Sequence, residues 1–151
     1  MADLDIPEGY PDFIKNHLKL YLDSDGEEGH MWDVPGLGSF PTLLLTTRGR
    51  KSGQPRVRPL IYGERDGDYV VVASKGGAPN HPLWYLNLAA ESSVDLQVAT
   101  EKFRARARTA EGEERSALWE LMAAIYSPYN DYKEAAGSRE IPVVVLERLS
   151  E

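Results

Sequence analysis

Residues 10–22 place Tyr10, Phe13, Ile14, His17, Leu18, Tyr21 and Leu22 three and four positions apart. That spacing gathers side chains on one face of an amphipathic helix. The stretch that follows, DSDGEEGHMWDVPGLGSFP, holds too many glycines and prolines for regular structure and reads as a long polar connection. From residue 42 the pattern turns to short apolar or alternating runs. TLLLTT predicts a buried strand, VRPLIYGE a second and DYVVVASK a third. Asp66-Gly67-Asp68 supplies a hairpin turn between the last two, and Pro59 marks a bulge or an edge in the second.

Residues 78–91, APNHPLWYLNLAAE, predict a second helix with Pro82 in its first turn and Leu83, Trp84, Tyr85, Leu86 and Leu88 as packing residues. SVDLQVATEKFRARARTAE then gives two alternating strands around a turn near 100–102. A third helix starts where Glu111, Glu113 and Glu114 complement the helix dipole, with Leu118, Leu121, Met122 and Ile125 as its buried stripe. IPVVVLERL closes the chain as a strand. Hairpin-joined strands interrupted by single helices predict an α+β fold: a mostly antiparallel sheet closed into a barrel, with about three helices.

The chain has 151 residues, enough for one domain that buries about 70% of its unfolded surface. Apolar residues at 42% against 27% charged exclude a disordered tail, and no apolar run approaches the roughly 20 residues of a membrane span. Without cysteine there is no disulfide, thiolate chemistry or cysteine metal site. MADLDIPEGYPDF lacks the basic and apolar regions of a signal peptide, so a soluble cytoplasmic protein is expected. A net charge of −7 argues against nucleic-acid binding. Residues 48–58, RGRKSGQPRVR, run against that acidity with five cations and no acid. Positive charge gathered in one Gly- and Pro-containing turn points to a specific anion, although a solvated basic turn has the same composition.

Several motifs fail on spacing or context. Gly36-Leu37-Gly38-Ser39 lacks the third glycine of a dinucleotide fingerprint and precedes a strand. Gly49-Arg50-Lys51-Ser52 does not meet the spacing of a P-loop. His17, His30 and His81 are too scattered for a metal site, and His17 reads as a packed or half-exposed core residue. No GxSxG elbow is present.

Two features remain. Gly49-Arg50-Lys51-Ser52-Gly53 and Ser74-Lys75-Gly76-Gly77 each follow a short strand and each combine glycine, a hydroxyl and a cation. Glycine lets backbone N–H groups approach an anion, the hydroxyl donates and the cation neutralises. Converging, the two turns suit a phosphorylated ligand; apart, they are ordinary surface loops. The second feature is Tyr126, Tyr129 and Tyr132, every third residue where the third helix ends. In a 3₁₀ or irregular turn they stack on one side, either packed on the barrel or lining a pocket for a flat substrate.

GRKSGQPRVRPL at 49–60, ASKGGAPNHPLWYLNL at 73–88, IYSPYNDY at 125–132 and REIPVVVLE at 139–147 resemble the deazaflavin-dependent nitroreductase family of actinobacteria. The resemblance runs from about residue 40 to 147. It implies a split β-barrel, an N-terminal helix and loop over 1–35 ahead of a cofactor-binding barrel over 36–151 within a single domain, and coenzyme F420, an 8-hydroxy-5-deazaflavin with a phosphate and a glutamyl tail. It implies that Arg50, Lys51, Ser52 and Arg56 meet phosphate and tail carboxylates, and that Ser74, Lys75 and Gly76 meet phosphate or ring edge. Trp84 and Asn87 would frame the phosphate pocket, and Val57, Arg58, Pro59 and Leu60 would lie along the ring. Tyr126, Tyr129 and Tyr132 match the substrate-pocket tyrosines. Ile61 departs from members that carry tyrosine there.

The activity implied is hydride transfer from reduced deazaflavin to a quinone, an activated enone or a nitroaromatic, with no metal. Two alternatives stay open: an FMN-dependent flavin reductase on the same barrel, and a non-catalytic fatty-acid or cofactor-binding protein. The cationic turn offers more partners than the one phosphate of FMN needs, and two anion turns with three tyrosines are more than a lipid pocket needs. The first helix, with Lys15 and Lys19 beside apolar residues, has the makings of a weak membrane contact. Oligomeric state is not legible.

Overall fold

The structure, a computed structural model, describes residues 10–77 and 80–149. Helix α1 (Asp12–Asp23) forms on the three-and-four spacing and leads to a short strand, β1 (Met31–Val34), that the sequence reading lacked. β1 pairs antiparallel with β2 (Gly38–Arg48), Met31 opposite Pro41 and Trp32 opposite Phe40. Ladder hydrogen bonds override the local glycine and proline content: Pro35 and Gly36 form the turn between the two strands, while Gly38 and Pro41 lie within β2 itself. β3 (Pro55–Ile61), β4 (Gly63–Arg65) and β5 (Asp68–Val72) follow, then α2 (Leu83–Ala90), β6 (Ser93–Val98) and β7 (Glu101–Thr109). α3 (Gly112–Ile125), α4 (Pro128–Ala135) and β8 (Val143–Arg148) complete the chain. The irregular turn expected after α3 is a helix of its own, α4, started by Pro128 at its first position; the described residues hold four α-helices instead of three.

The strand order is β1-β2-β6-β7-β8-β5-β4, with β3 on the other side of β2, and every ladder is antiparallel. β3 and β4 are consecutive stretches of one bent strand. One pairs β2 and the other pairs β5, so the two ends of the sheet meet and curl it into a split β-barrel. Pro59 sits on β3, whose one ladder partner is β2, an edge position as a residue without an N–H requires. Asp66 and Gly67 take left-handed φ of 55° and 88°, the backbone of a type I′ hairpin. The β6–β7 turn comes slightly earlier than expected, between the paired Val98 and Glu101.

Three apolar clusters organise the packing. Leu43, Leu45, Tyr69, Val71, Val144 and Leu146 point into the barrel. Val70, Val72, Val143 and Val145 point out, beneath Leu118, Trp119 and Met122 of α3 and the tyrosines after it. Both faces of β5 and β8 are therefore covered, which is why they read as unbroken valine runs rather than alternating strands. The third cluster seats Ile14, Leu18 and Tyr21 of α1 on Leu44 and Val57. Tyr21, fully buried, fixes the helix: its hydroxyl donates to the Thr42 carbonyl at 3.0 Å and accepts from the Ala99 N–H at 2.7 Å. The packing set expected for α2 needs one correction. Leu83 is 70% exposed, because Pro82 is the N-cap and turns the first helical residue outward. Among the described residues no helix is long and apolar enough to cross a membrane.

Candidate active site

A cleft of about 1010 Å³ opens beside β3 and β5 and is walled by α1, α2 and α4. Its lining includes residues of both anion turns and the three tyrosines. Arg50, Lys51, Ser52, Arg56, Arg58, Pro59, Leu60, Ser74, Lys75, Trp84, Asn87, Tyr126, Tyr129 and Tyr132 all face it. Residues as far apart as Arg50 and Tyr132 are thus brought into one site because β3 and β5 face each other across the split.

The basic turn between β2 and β3 is held by its own backbone. The Gly49 N–H donates to the Gln54 carbonyl and the Gly53 N–H to the Gly49 carbonyl, each at 2.8 Å, with Gly53 at φ 72°. Buried Asn87 pins it to α2, accepting from the Arg50 N–H at 3.2 Å and donating to Thr47 Oγ1 at 3.2 Å. Among the described residues no carboxylate lies within ion-pair distance of Arg50, Lys51, Arg56 or Arg58. An acid-free cluster of cations on a concave surface raises the local concentration of anions.

Arg58 differs from the other three. Its guanidinium lies 5.2 Å over the Tyr10 ring, and its Nε is buried without a hydrogen-bond partner. Burial draws its pKa below the ordinary arginine value, against the pull of the Tyr10 hydroxyl. A charged donor left orphaned in the wall of a cleft calls for an acceptor oxygen from a ligand. Val57 turns the other way. Its side chain is 1% exposed under α1, so the expected contact along a ring is not available to it, and its carbonyl accepts from the Tyr10 hydroxyl at 2.8 Å. Val57 shares its face of β3 with Pro59 and Ile61, which line the cleft, but Ile14, Leu18 and Tyr21 of α1 cover it.

The second turn is a 3₁₀ segment, Lys75–Gly77, with Gly76 at its centre. Ser74 is buried, whereas Lys75 is exposed, takes a left-handed φ of 48°, and donates from Nζ to Asn80 Oδ1 at 3.1 Å. Tyr126 caps α3, while Tyr129 and Tyr132 share one face of α4 at i and i+3. Tyr126 and Tyr129 meet edge-on with ring centroids 5.0 Å apart, and the Tyr126 and Tyr132 hydroxyls are 3.4 Å apart. Burial, reinforced by the Tyr132 hydroxyl, pushes the Tyr126 phenol up to about 12. Burial raises Tyr129 as well. Both keep their protons at neutral pH and act as donors.

The cleft also has a wall that the sequence reading assigned elsewhere. Phe13, Ile14 and His17 of α1 and Trp32 of β1 line it. The Phe13 and Trp32 rings are stacked at 6.2 Å, and His17 stacks on Trp32 at 5.9 Å. His17 Nε2 lies 2.7 Å from the Gly29 carbonyl, so that nitrogen carries a hydrogen. The helical spacing identified His17's face; nothing local showed that part of that face overhangs a cleft. Arg139, within the motif at 139–147, is a second omission. It binds the backbone beneath the 3₁₀ turn at a separation of 66 positions, which no local pattern reports.

The sequence matches the family described as F420H(2)-dependent quinone reductase over residues 13–148. The chain is 39% identical over 139 residues to the F420H(2)-dependent quinone reductase Rv1261c of Mycobacterium tuberculosis, covering 89% of each. It is similar to a solved F420-H2 dependent reductase (FDR-A), at 44% identity and TM-score 0.66 over 71% of this chain and 94% of that one. A protein solved as a domain-swapped dimer is 38% identical, with TM-score 0.68 over 90% of this chain and 98% of that one. The cofactor of such proteins is F420, which replaces the FMN and lipid alternatives. This chain belongs to the F420H2-dependent quinone reductase family.

Proposed function

We propose that this chain reduces quinones by two electrons at the cleft beside β3 and β5, with reduced F420 as hydride donor, and that activated enones and nitroaromatics also serve as acceptors. The observation that carries the reading is one cleft of about 1010 Å³ in which a cationic rim and a wall of three tyrosines face a shared interior.

The residues present fit F420. Arg50, Lys51 and Arg56 exceed what a single phosphate needs and match a phosphate plus tail carboxylates. The buried, unpartnered Nε of Arg58 suits a further oxygen acceptor along β3. Ser74 and the 3₁₀ turn offer a hydroxyl, backbone N–H groups and the Lys75 cation, and Trp84 lines the same cleft. When bound, the reduced deazaflavin supplies a hydride, and carbon in place of the flavin N5 restricts it largely to two-electron transfer.

The chain's own part is placement, exclusion of water and handling of charge. Ile61 and Val72, both buried, give the interior an apolar surface that strengthens every polar contact made there. Tyr126 and Tyr132 share a hydroxyl contact, and a phenol so placed donates to a carbonyl or nitro oxygen as negative charge develops on it. The raised phenol of Tyr126 makes it a donor and a poor base at pH 7. Hydride plus one proton, from the tyrosine pair or from water, converts quinone to quinol. Oxidation of reduced F420 on mixing with protein and menadione, followed by the return of deazaflavin absorbance, is the expected result. No oxidation with quinone, enone or nitroaromatic acceptors overturns the reading.

A further inference from the structure

We propose that Arg139 is a positioning residue for the anion site: by binding the carbonyls of Ala73 and Ser74 it aims the N–H groups of Ser74 and Lys75 into the cleft. This rests on the reading of that cleft as the cofactor site. Arg139 Nη1 donates to the Ala73 carbonyl at 3.1 Å and Nη2 to the Ser74 carbonyl at 2.6 Å. Nη1 also lies 3.0 Å from His81 Nδ1, which therefore accepts, so the guanidinium is itself held from the N-terminal side of α2.

The direction of the N–H groups follows from covalent geometry. No peptide in the described chain is cis. In a trans peptide the N–H points opposite the carbonyl of the preceding residue. The Ala73 N–H donates to the Pro142 carbonyl at 2.9 Å, so Ala73 turns both its polar groups toward the β8 side of β5. The Ser74 N–H must then point the other way, across the split toward β3, where Pro59, Leu60 and Ile61 line the cleft. With the Ser74 carbonyl on Arg139, the Lys75 N–H is likewise directed away from the guanidinium.

Backbone strain gives the clamp a second reason. Lys75 holds a left-handed φ of 48° without being glycine. Such a conformation is strained for a residue with a Cβ and persists only where its surroundings over-determine it. Arg139 on the preceding carbonyl, the Gly77 N–H on that same carbonyl at 2.9 Å, and Lys75 Nζ on Asn80 supply that determination. Two converging N–H groups beside a lysine form an anion-binding concavity, and the guanidinium beneath adds charge of the right sign without touching the ligand.

The test uses the full chain with Arg139→Lys, which keeps the charge but cannot fork onto two carbonyls, and Arg139→Ala. Affinity for oxidised F420 is read by fluorescence titration, turnover with menadione by cofactor oxidation, and exchange of the Gly77 amide, bonded to the Ser74 carbonyl, by hydrogen exchange without cofactor. In both variants Kd and the KM for reduced F420 should rise about tenfold or more, with kcat at saturating cofactor within about twofold of wild type. The Gly77 amide should exchange faster, and millimolar methylguanidinium should restore affinity in Arg139→Ala. A merely structural arginine predicts a lower Tm and no rescue, and that result overturns the proposal. So does a Kd within threefold of wild type in both variants. Failure of wild type to bind F420 instead overturns the reading of the cleft, and this proposal with it.

Discussion

Gly77 lies against the backbone of Tyr132: a Cβ placed on the glycine would come within 2.8 Å of the Tyr132 carbonyl oxygen and 3.1 Å of its Cα. The turn that offers N–H groups to an anion and the helix that carries two wall tyrosines are thus in direct backbone contact.

Gly77→Ala should therefore do more than strain one residue. Gly77 has φ 83°, and its added methyl would also meet Ala135 Cβ at 2.7 Å. Loss of about 2–4 kcal/mol of stability is expected, seen as a lower Tm and denaturant midpoint. Weaker F420 binding and lower menadione turnover should accompany it. Unchanged Tm would show that α4 yields freely to the turn.

Lys51→Ala combined with Arg56→Ala removes two exposed cations from the basic rim. Solvent screening reduces what each contributes, so affinity for F420 should fall by about 2–3 kcal/mol, or roughly 30- to 150-fold. A fluorescence titration within threefold of wild type would place the phosphate and tail elsewhere.

Asn87→Ala leaves the Arg50 N–H and the Thr47 hydroxyl without their partner. The expected cost is about 1–3 kcal/mol of stability, together with weaker cofactor binding as the basic turn loses its tether to α2. Asn87→Asp keeps the acceptor for the Arg50 N–H but not the donor, and should recover part of the binding. Full F420 affinity in Asn87→Ala would show that the turn is held by its own backbone alone.

Tyr132→Phe keeps the ring and removes the hydroxyl that faces Tyr126. If that hydroxyl steadies charge developing on the acceptor, kcat should drop by about ten- to a hundredfold with F420 affinity and Tm little changed. Equal turnover with quinone and nitroaromatic acceptors would make Tyr132 a wall without a chemical part.

Alkaline titration should expose the buried phenols together. Tyr21, Tyr62 and Tyr126 are raised from 10.0 to about 12, in each case chiefly by burial. Between those values the unfolded chain has released protons that the folded chain retains. Their contribution to stability is whole below pH 10 and is lost as pH rises toward about 12. Difference absorbance of tyrosinate should show these groups ionising as the protein unfolds. Ionisation of all eight tyrosines near pH 10 in a still-folded protein would contradict it.

Much of this molecule is written locally. The spacing of Ile14, Leu18 and Tyr21 is enough to make α1, and Asp66-Gly67 is enough to make a left-handed hairpin turn, because both depend on residues within one or two turns of chain. The basic turn, the serine–lysine turn and the tyrosine triplet were likewise visible as residue types that suit an anion and a flat acceptor. Tertiary structure alone decided which faces those residues present and to what. β1 exists because β2 supplies its ladder, in spite of the glycines around it. Val57 is core while Pro59 and Ile61 on the same face of β3 reach the cleft, because α1 covers Val57 and leaves the other two open. His17 and Trp32 join the site because helix and strand overhang it. Arg139 reaches Ala73 and Ser74 across 66 and 65 positions. Periodicity specifies which side chains share a face; only closure of the barrel specifies what that face meets.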